Sequence, residues 1–280
     1  MRLKHMQRNH CKCAGLRLTV IPLLFILMQP GNSEAGSVED KGLAIAVEAD
    51  KRDSGYEDAT ASMIMILRNR HGQESQRSLR YRTLEVENDG DMSLMIFDSP
   101  KDVKGTAFLN YTHKKDDDDQ WLYLPALKKV KRIPSADKSG SFMGSDFSYF
   151  DMTDRDLENY DFKLIKETEV RGHKAWMIES TPRNEKVIKE SGYTKSVAIV
   201  RQDNYVVVRA INYMKNDKMK YLDLRKIHQQ DGIWVVDEMM MTTKKGKYTE
   251  HKTLLQFNNI KVNKPLEDDL FTTRRLSKGL

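Results

Sequence analysis

Apolar and polar positions alternate with a period of two along most of this chain, as expected of half-buried strands, and the breaks in that rhythm mark its other elements. Residues 38–52 are rich in alanine, place Leu43, Ala46 and Val47 on one face and run into Gly55, so a helix is predicted there. Strands are predicted over residues 59–67, 79–86, 92–97, 106–112 and 120–124, divided by His71 with Gly72, by residues 88–91, by Pro100 and by residues 116–119. A second series covers residues 163–170, 175–179, 196–201, 205–213, 221–227, 233–243 and 249–262, with tight turns such as Arg171 with Gly172 and Asp231 with Gly232. Between the two series Thr153 is expected to cap a brief helix, with Asp154 and Asp156 favouring its positive end. The charged tail, residues 272–278, is expected to fray. Hairpin-sized breaks between so many strands predict one mainly β domain, residues 36–280, built on a single curved sheet that closes into a barrel or has its concave face covered.

The first 35 residues break the pattern differently. Arg2, Lys4, Arg8, Lys12 and Arg17 precede an apolar run over residues 18–28, and Ser33 and Ala35 supply small residues at the −3 and −1 positions of a cleavage site after Ala35. This reads as a secretory signal that sends the product to the periplasm; the run is too short, and too interrupted by Pro22, for a spanning helix. Both cysteines, Cys11 and Cys13, fall in it, so the processed chain is expected to have no disulfide, no cysteine metal site and no cysteine nucleophile. The formal charge of +6 also belongs largely to this segment: without it, 42 basic residues face 40 acidic ones, which is poor support for nucleic-acid binding.

One segment is too greasy for a loop. After the strand-like residues 121–133, the stretch 140–152 has the glycines and serines of a mobile connection but also Phe142, Met143, Phe147, Tyr149 and Phe150, which water rejects unless they cover something apolar. A lid or gate over an apolar ligand is the expectation. Alternation supplies a surface to cover: Met63, Met65 and Leu67 share a face, as do Met92, Leu94 and Ile96, then Val206, Val208 and Ala210, then Val235, Met239 and Met241, and methionine suits surfaces that adapt to variable ligands. Polar residues such as Tyr81, Glu85, Arg209 and Asp223 are expected on the outer face. Lys128, Lys129, Lys131 and Arg132 form the densest basic patch, read either as protection of an edge strand or as a docking patch for anionic headgroups or an acidic partner.

Catalytic arrangements are weak by comparison. The serine at Gly140–Gly144 is not placed as a nucleophile elbow, and His71, His113, His173, His228 and His251 each stand alone near a turn or strand end without metal-ligand spacing. Residues 116–119, four adjacent aspartates, lack the alternating ligands of a calcium loop and read as a solvated hairpin tip. Asp151, Asp154, Asp156 and Glu158 are explained by helix-start electrostatics more simply than as an acid and base pair. No catalytic residue, metal or cofactor is therefore expected, and the chain is read as a non-enzyme.

Taken together, the leader, the N-terminal helix, the long meander, and the blocks at residues 105–111, 121–125, 131–133 and 142–151 resemble the periplasmic outer-membrane lipoprotein-sorting proteins, the LolA-like family. The resemblance covers nearly all of the chain after the leader and is densest over residues 105–152. It implies a LolA/LolB-like half-open antiparallel β-barrel with a helical and loop lid over an apolar cavity for acyl chains. The chain is longer than the lipoprotein carriers proper, and members of that longer branch resemble partners of RND-type lipid exporters. The implied function is a monomeric carrier of lipoprotein or lipid acyl chains between envelope membranes. The alternative is an envelope-stress sensor built on the same barrel.

Overall fold

A computed structural model describes residues 37–278 except Asn88 and Lys115, so the segment read as a leader and the cleavage site expected after Ala35 lie outside the described residues. The first described element is helix α1 (Val38–Arg52), opened by a capping box in which Ser37 and Asp40 satisfy each other's backbone N–H groups. Its buried stripe is Gly42, Ile45 and Ala46, with Ala49 packed alongside, whereas Leu43 and Val47 remain 42% and 48% exposed. The stripe is thus rotated from the one predicted, because a close approach decides it. A Cβ on Gly42 would lie 2.7 Å from the backbone of Lys163 and Leu164, so only glycine lets the helix lie this near the sheet.

Thirteen strands follow: β1 (Asp58–Asn69), β2 (Glu74–Glu85), β3 (Asp91–Ser99), β4 (Ala107–Tyr111), β5 (Asp119–Leu124), β6 (Lys129–Ile133), β7 (Tyr160–Val170), β8 (His173–Pro182), β9 (Lys195–Arg201), β10 (Val207–Tyr213), β11 (Lys218–Gln230), β12 (Ile233–Lys245) and β13 (Tyr248–Val262). They form one antiparallel sheet in the order β6-β5-β4-β3-β2-β1-β13-β12-β11-β10-β9-β8-β7. Two meanders, β1 to β6 and β7 to β13, are therefore zipped together by the pairing of β1 with β13, in which Met63 faces Phe257 and Met65 faces Leu255. The sheet remains open between β6 and β7, a half-barrel.

Register sorts the side chains. Pairing of Met63 with Leu79, of Leu79 with Phe97 and of Met95 with Phe108 puts these residues on one face, together with Leu122, Leu255 and Met241. The other face of β3 to β5 carries Leu94, Ile96, Ala107, Leu109 and Tyr123, which Phe271 and Leu276 cover. The tail does not fray: residues 273–277 form helix α3, capped by Thr272, and Leu276 is 1% exposed because it seals that outer patch. Helix α2 (Glu185–Ser191), capped by Asn184 and ended by Gly192 at φ 76°, fills the link between β8 and β9.

The helix predicted to begin at Thr153 is absent. Thr153 is extended, at φ −119° and ψ 159°, and closes the short 3-10 turn Phe150–Met152. Asp156, not Thr153, accepts from the amide of Glu158, at 2.9 Å, in the next such turn, Leu157–Asn159.

Candidate functional site

The connection from β6 to β7 crosses the concave face. Phe142 and Phe147, 0% and 3% exposed, drive into the cluster of Met63, Met65, Leu79, Phe97, Phe108 and Met241, and Phe142 meets Phe108 edge-on with ring centres 5.1 Å apart. Polar groups fasten what the rings fill. The carboxylate of Asp146 accepts from Thr243 and from Thr253 (2.7 Å), lies 2.6 Å from Nδ1 of His251, and its backbone N–H donates to Thr253 at 3.0 Å. Asp151 accepts from Ser148 (2.7 and 2.8 Å), from the hydroxyl of Tyr193 (2.7 Å) and from Lys220 (3.3 Å). Gln120 donates to the carbonyl of Tyr149 at 2.9 Å, and Arg77 donates to that of Met143. The Asp146 carboxylate, with a partner on each oxygen, fixes one geometry. The loop read as a lid is packed here as a plug, with Met143 and Tyr149 also against the cluster and Phe150 edge-on to Tyr193 with ring centres 6.3 Å apart.

Beside the plug lies a cavity of about 1120 Å³. Its apolar wall comes from β1, β2, β12 and β13 through Ala59, Ala61, Tyr81, Val235, Phe257 and Val262, with Val47 of α1 and Phe150 and Met152 of the plug facing them. Tyr81 and Phe257 stand edge to face at 6.4 Å on the border between plug and cavity. Carboxylates also line the cavity: Asp50 in the last turn of α1 and Asp53 at its C-cap, Glu85 and Asp91 at the facing ends of β2 and β3, and Asp154 and Asp156 after the plug.

Those carboxylates perturb one another. Burial, reinforced by Asp154, Asp50, Asp91 and Glu85, pushes Asp53 up to about 7. Burial and the charge of Asp91 raise Asp154 to about 6. Asp91 and Asp50 are raised by burial as well, the first relieved by a hydrogen bond from the hydroxyl of Tyr56 and the second by Lys114. Asp53 and Asp154 are accessible to water inside the cavity, although protein surrounds them, and that water moderates their mutual repulsion. Among the described residues no three His, Cys, Asp or Glu side chains are grouped to hold a metal ion.

Register relocates the residues expected to line this space. Met63, Met65, Leu67 and Met241 are buried beneath the plug, with Met239 packed at the edge of the same cluster. Leu94 and Ile96, with Met92, are on the opposite face under α3, because period-two alternation groups residues within a strand but says nothing about which alternate set shares a face with the next strand. Val206 and Val208 belong to a separate small cluster with Val170 and Ala175. Val235 does line the cavity. Tyr81 and Glu85, expected outside, line it too, since Tyr81 pairs with Ala61 and Met95.

The charged expectations change likewise. The aspartate run is no free tip: Asp117 pairs with Lys186 of α2 at 2.7 Å, Asp118 with the buried Lys138 at 2.9 Å, and Asp119 with Arg132. Histidines expected to stand alone have carboxylate neighbours, His113 with Asp89 at 2.7 Å and His228 with Asp237 at 2.8 Å. In the basic patch Lys128 and Lys129 project at the β5–β6 hairpin tip, while Lys131 and Arg132 point to opposite faces of the edge strand. The sequence reading missed the Asp146 and Asp151 clamps; partners about a hundred positions away for Asp146, and 42 and 69 positions away for Asp151, leave no local signal.

The chain is 39% identical to a domain from Vibrio parahaemolyticus assigned as an outer membrane lipoprotein-sorting protein, with a TM-score of 0.79, covering 85% of this chain and 99% of that one. A DUF1329 family protein from Desulfovibrio piger is 32% identical, with a TM-score of 0.78, over 86% of this chain and all of that one, and a family model described as an uncharacterized protein matches residues 89–278. The chain belongs to the DUF1329 family. A LolA superfamily protein from Nitrosomonas europaea, 16% identical with a TM-score of 0.62 over 84% of this chain and 98% of that one, extends the relationship at the level of fold. This DUF1329 chain thus has the half-open barrel of the LolA superfamily. No curated protein matches it.

Proposed function

We propose that the protein is a periplasmic carrier that holds acyl chains of a lipoprotein or other lipid in the cavity beside the plug and moves them between envelope membranes, with an RND-type exporter as membrane partner. The observation that carries this reading is the cavity itself: about 1120 Å³, larger than most small-molecule pockets, with Ala59, Ala61, Val235, Phe257 and Val262 forming apolar patches in a lining that also carries many polar side chains. An alkyl chain against Val235, Phe257 and Ala61 would gain about 0.8 kcal/mol per buried methylene, so affinity needs no covalent step. The headgroup would remain at the wet, acidic mouth. Similarity to the Vibrio parahaemolyticus domain supports the lipoprotein class of cargo, and the N-terminal segment supports export.

Protein purified from its native envelope and extracted with organic solvent is expected to yield acyl lipid by mass spectrometry and to take up a fluorescent fatty acid. Val235→Asp and Phe257→Asp should weaken uptake by on the order of tenfold or more, since a carboxylate there must be desolvated against the chain. Leu94→Asp, on the face under α3, should reduce stability without a specific loss of uptake. Absence of both bound lipid and uptake overturns the carrier reading. Equal uptake by the two folded cavity variants overturns this site.

A further inference from the structure

We propose that the rim of hairpin tips at the ends of the strands away from the cavity mouth is a docking surface for an anionic phospholipid bilayer. Charge is segregated along the strands. At one set of ends the turns carry Glu87 and Asp89, Asp116 to Asp118, and Asp231, beside the carboxylates of the cavity mouth. At the other, the β12–β13 turn carries Lys245 and Lys247, the β3–β4 turn Lys101 and Lys104, and the β5–β6 turn Lys128 and Lys129, all exposed. Acidic groups on this rim are fewer than the lysines: Asp102 lies beside Lys101, Asp217 of the β10–β11 turn accepts from the Gly246 amide at 3.1 Å between Lys245 and Lys247, Glu74 is paired with Arg68, and Glu250 is paired with Lys218.

The apolar exposure coincides with the cations. Tyr248, 81% exposed, follows Lys247, and Leu127, 62% exposed, precedes Lys128; they are the two most exposed large hydrophobic residues among the described ones. Strand order places these two tips three hairpins apart, roughly 30 Å along the rim at about 4.8 Å per strand. Contact between Gly105 and the ring of Pro125, 3.7 Å from a Cβ built there, shows that the β3–β4 and β5–β6 turns adjoin.

This pattern fits lipid better than a protein surface. A protein interface is organised around a continuous, dry apolar centre, whereas here single apolar side chains project separately, each flanked by lysines. An aromatic ring and a leucine can enter the interfacial layer while lysines meet phosphates, and each lysine near an anionic surface is worth about 1 kcal/mol. The acidic mouth is repelled by the same surface. Docking therefore has one polarity, with the cavity turned from the lipid and open to a partner.

The test is co-sedimentation of the exported, purified protein with phosphatidylcholine vesicles and with mixed phosphatidylcholine and phosphatidylglycerol vesicles, at low and high salt. Every variant carries the same N-terminal segment, so differences between variants report the rim. Wild type should bind the anionic vesicles in preference to neutral ones and release them at high salt. Lys128→Ala with Lys129→Ala should weaken binding roughly 30-fold, the equivalent of about 1 kcal/mol per lysine. Lys245→Ala with Lys247→Ala should do the same, and Leu127→Ser and Tyr248→Ser should each cause a several-fold loss, all with little change in melting temperature because these side chains are exposed. Phe257→Asp, in the cavity, should dock as wild type, which separates this proposal from the carrier reading. Equal binding to neutral and anionic vesicles, wild-type binding by both lysine pairs, or binding to an acidic protein without binding to vesicles would overturn it.

Discussion

The two halves of the concave face are made from the same sheet and solve its exposure in different ways. Over β1 to β4 and the adjoining ends of β12 and β13, the β6–β7 connection brings its own aromatic rings, and a dry cluster forms around Phe142 and Phe147. Over β7 to β9, α1 lies close through Gly42 and packs Ile45 and Ala46 on Ile178 and Val200. Between these two covers the sheet wall at Ala59, Ala61 and Val235 meets neither, and the cavity remains. What fills a half-barrel is thus decided by its connections. The strands contribute similar apolar faces throughout.

Substitutions that separate the two covers test this contrast. The largest effect is expected at Phe142: truncation to alanine should destabilise the fold by about 3–5 kcal/mol, read from denaturant midpoints, because the site is closed on every side. Val235→Ala, on the open wall, should change stability by less than about 1 kcal/mol. Comparable losses at the two sites would mean that the halves are equally packed. A smaller effect is expected for Gly42→Ala, about 1–3 kcal/mol, as the new methyl pushes α1 from the backbone of β7; a neutral result would show that the helix can shift freely.

The smallest effect lies at the cavity mouth and depends on pH. The carboxyls of Asp53 and Asp154, raised to about 7 and about 6 from 3.8, hold protons in the folded chain that the unfolded chain releases. Their stabilising contribution is complete below the unfolded value and is lost as pH rises through 6 to 7. Asp53→Asn combined with Asp154→Asn should therefore raise Tm at pH 7 by about 2–4 °C, a modest gain because cavity water already screens both groups, and should leave it unchanged below about pH 4. A gain that persists in acid would assign the effect to something other than charge.

Much of the architecture was legible along the chain. Hairpin turns at His71 with Gly72, Arg171 with Gly172 and Asp231 with Gly232 bracket strands close to those observed, and residues 38–52 were read as helix at the observed bounds. Phe142, Phe147 and Tyr149 were conspicuous because a loop so apolar must cover something. Less legible was what they cover. Leu94 and Ile96 alternate as regularly as Met63 and Met65, yet only pairing through Leu79 and Phe97 shows that the two sets face opposite ways. The same holds for Leu276, whose burial depends on an outer patch assembled from three strands.

Local interactions determined the strand-and-turn rhythm, the first helix and the anomaly of the greasy connection, since each depends on neighbours within a few positions. Tertiary structure alone decided register, the burial of Asp146 and the clamping of Asp151, the rotation of α1 onto Gly42 and the division of the concave face into plug and cavity. These depend on contacts between residues far apart in the chain, where the fit of whole surfaces outweighs any local preference.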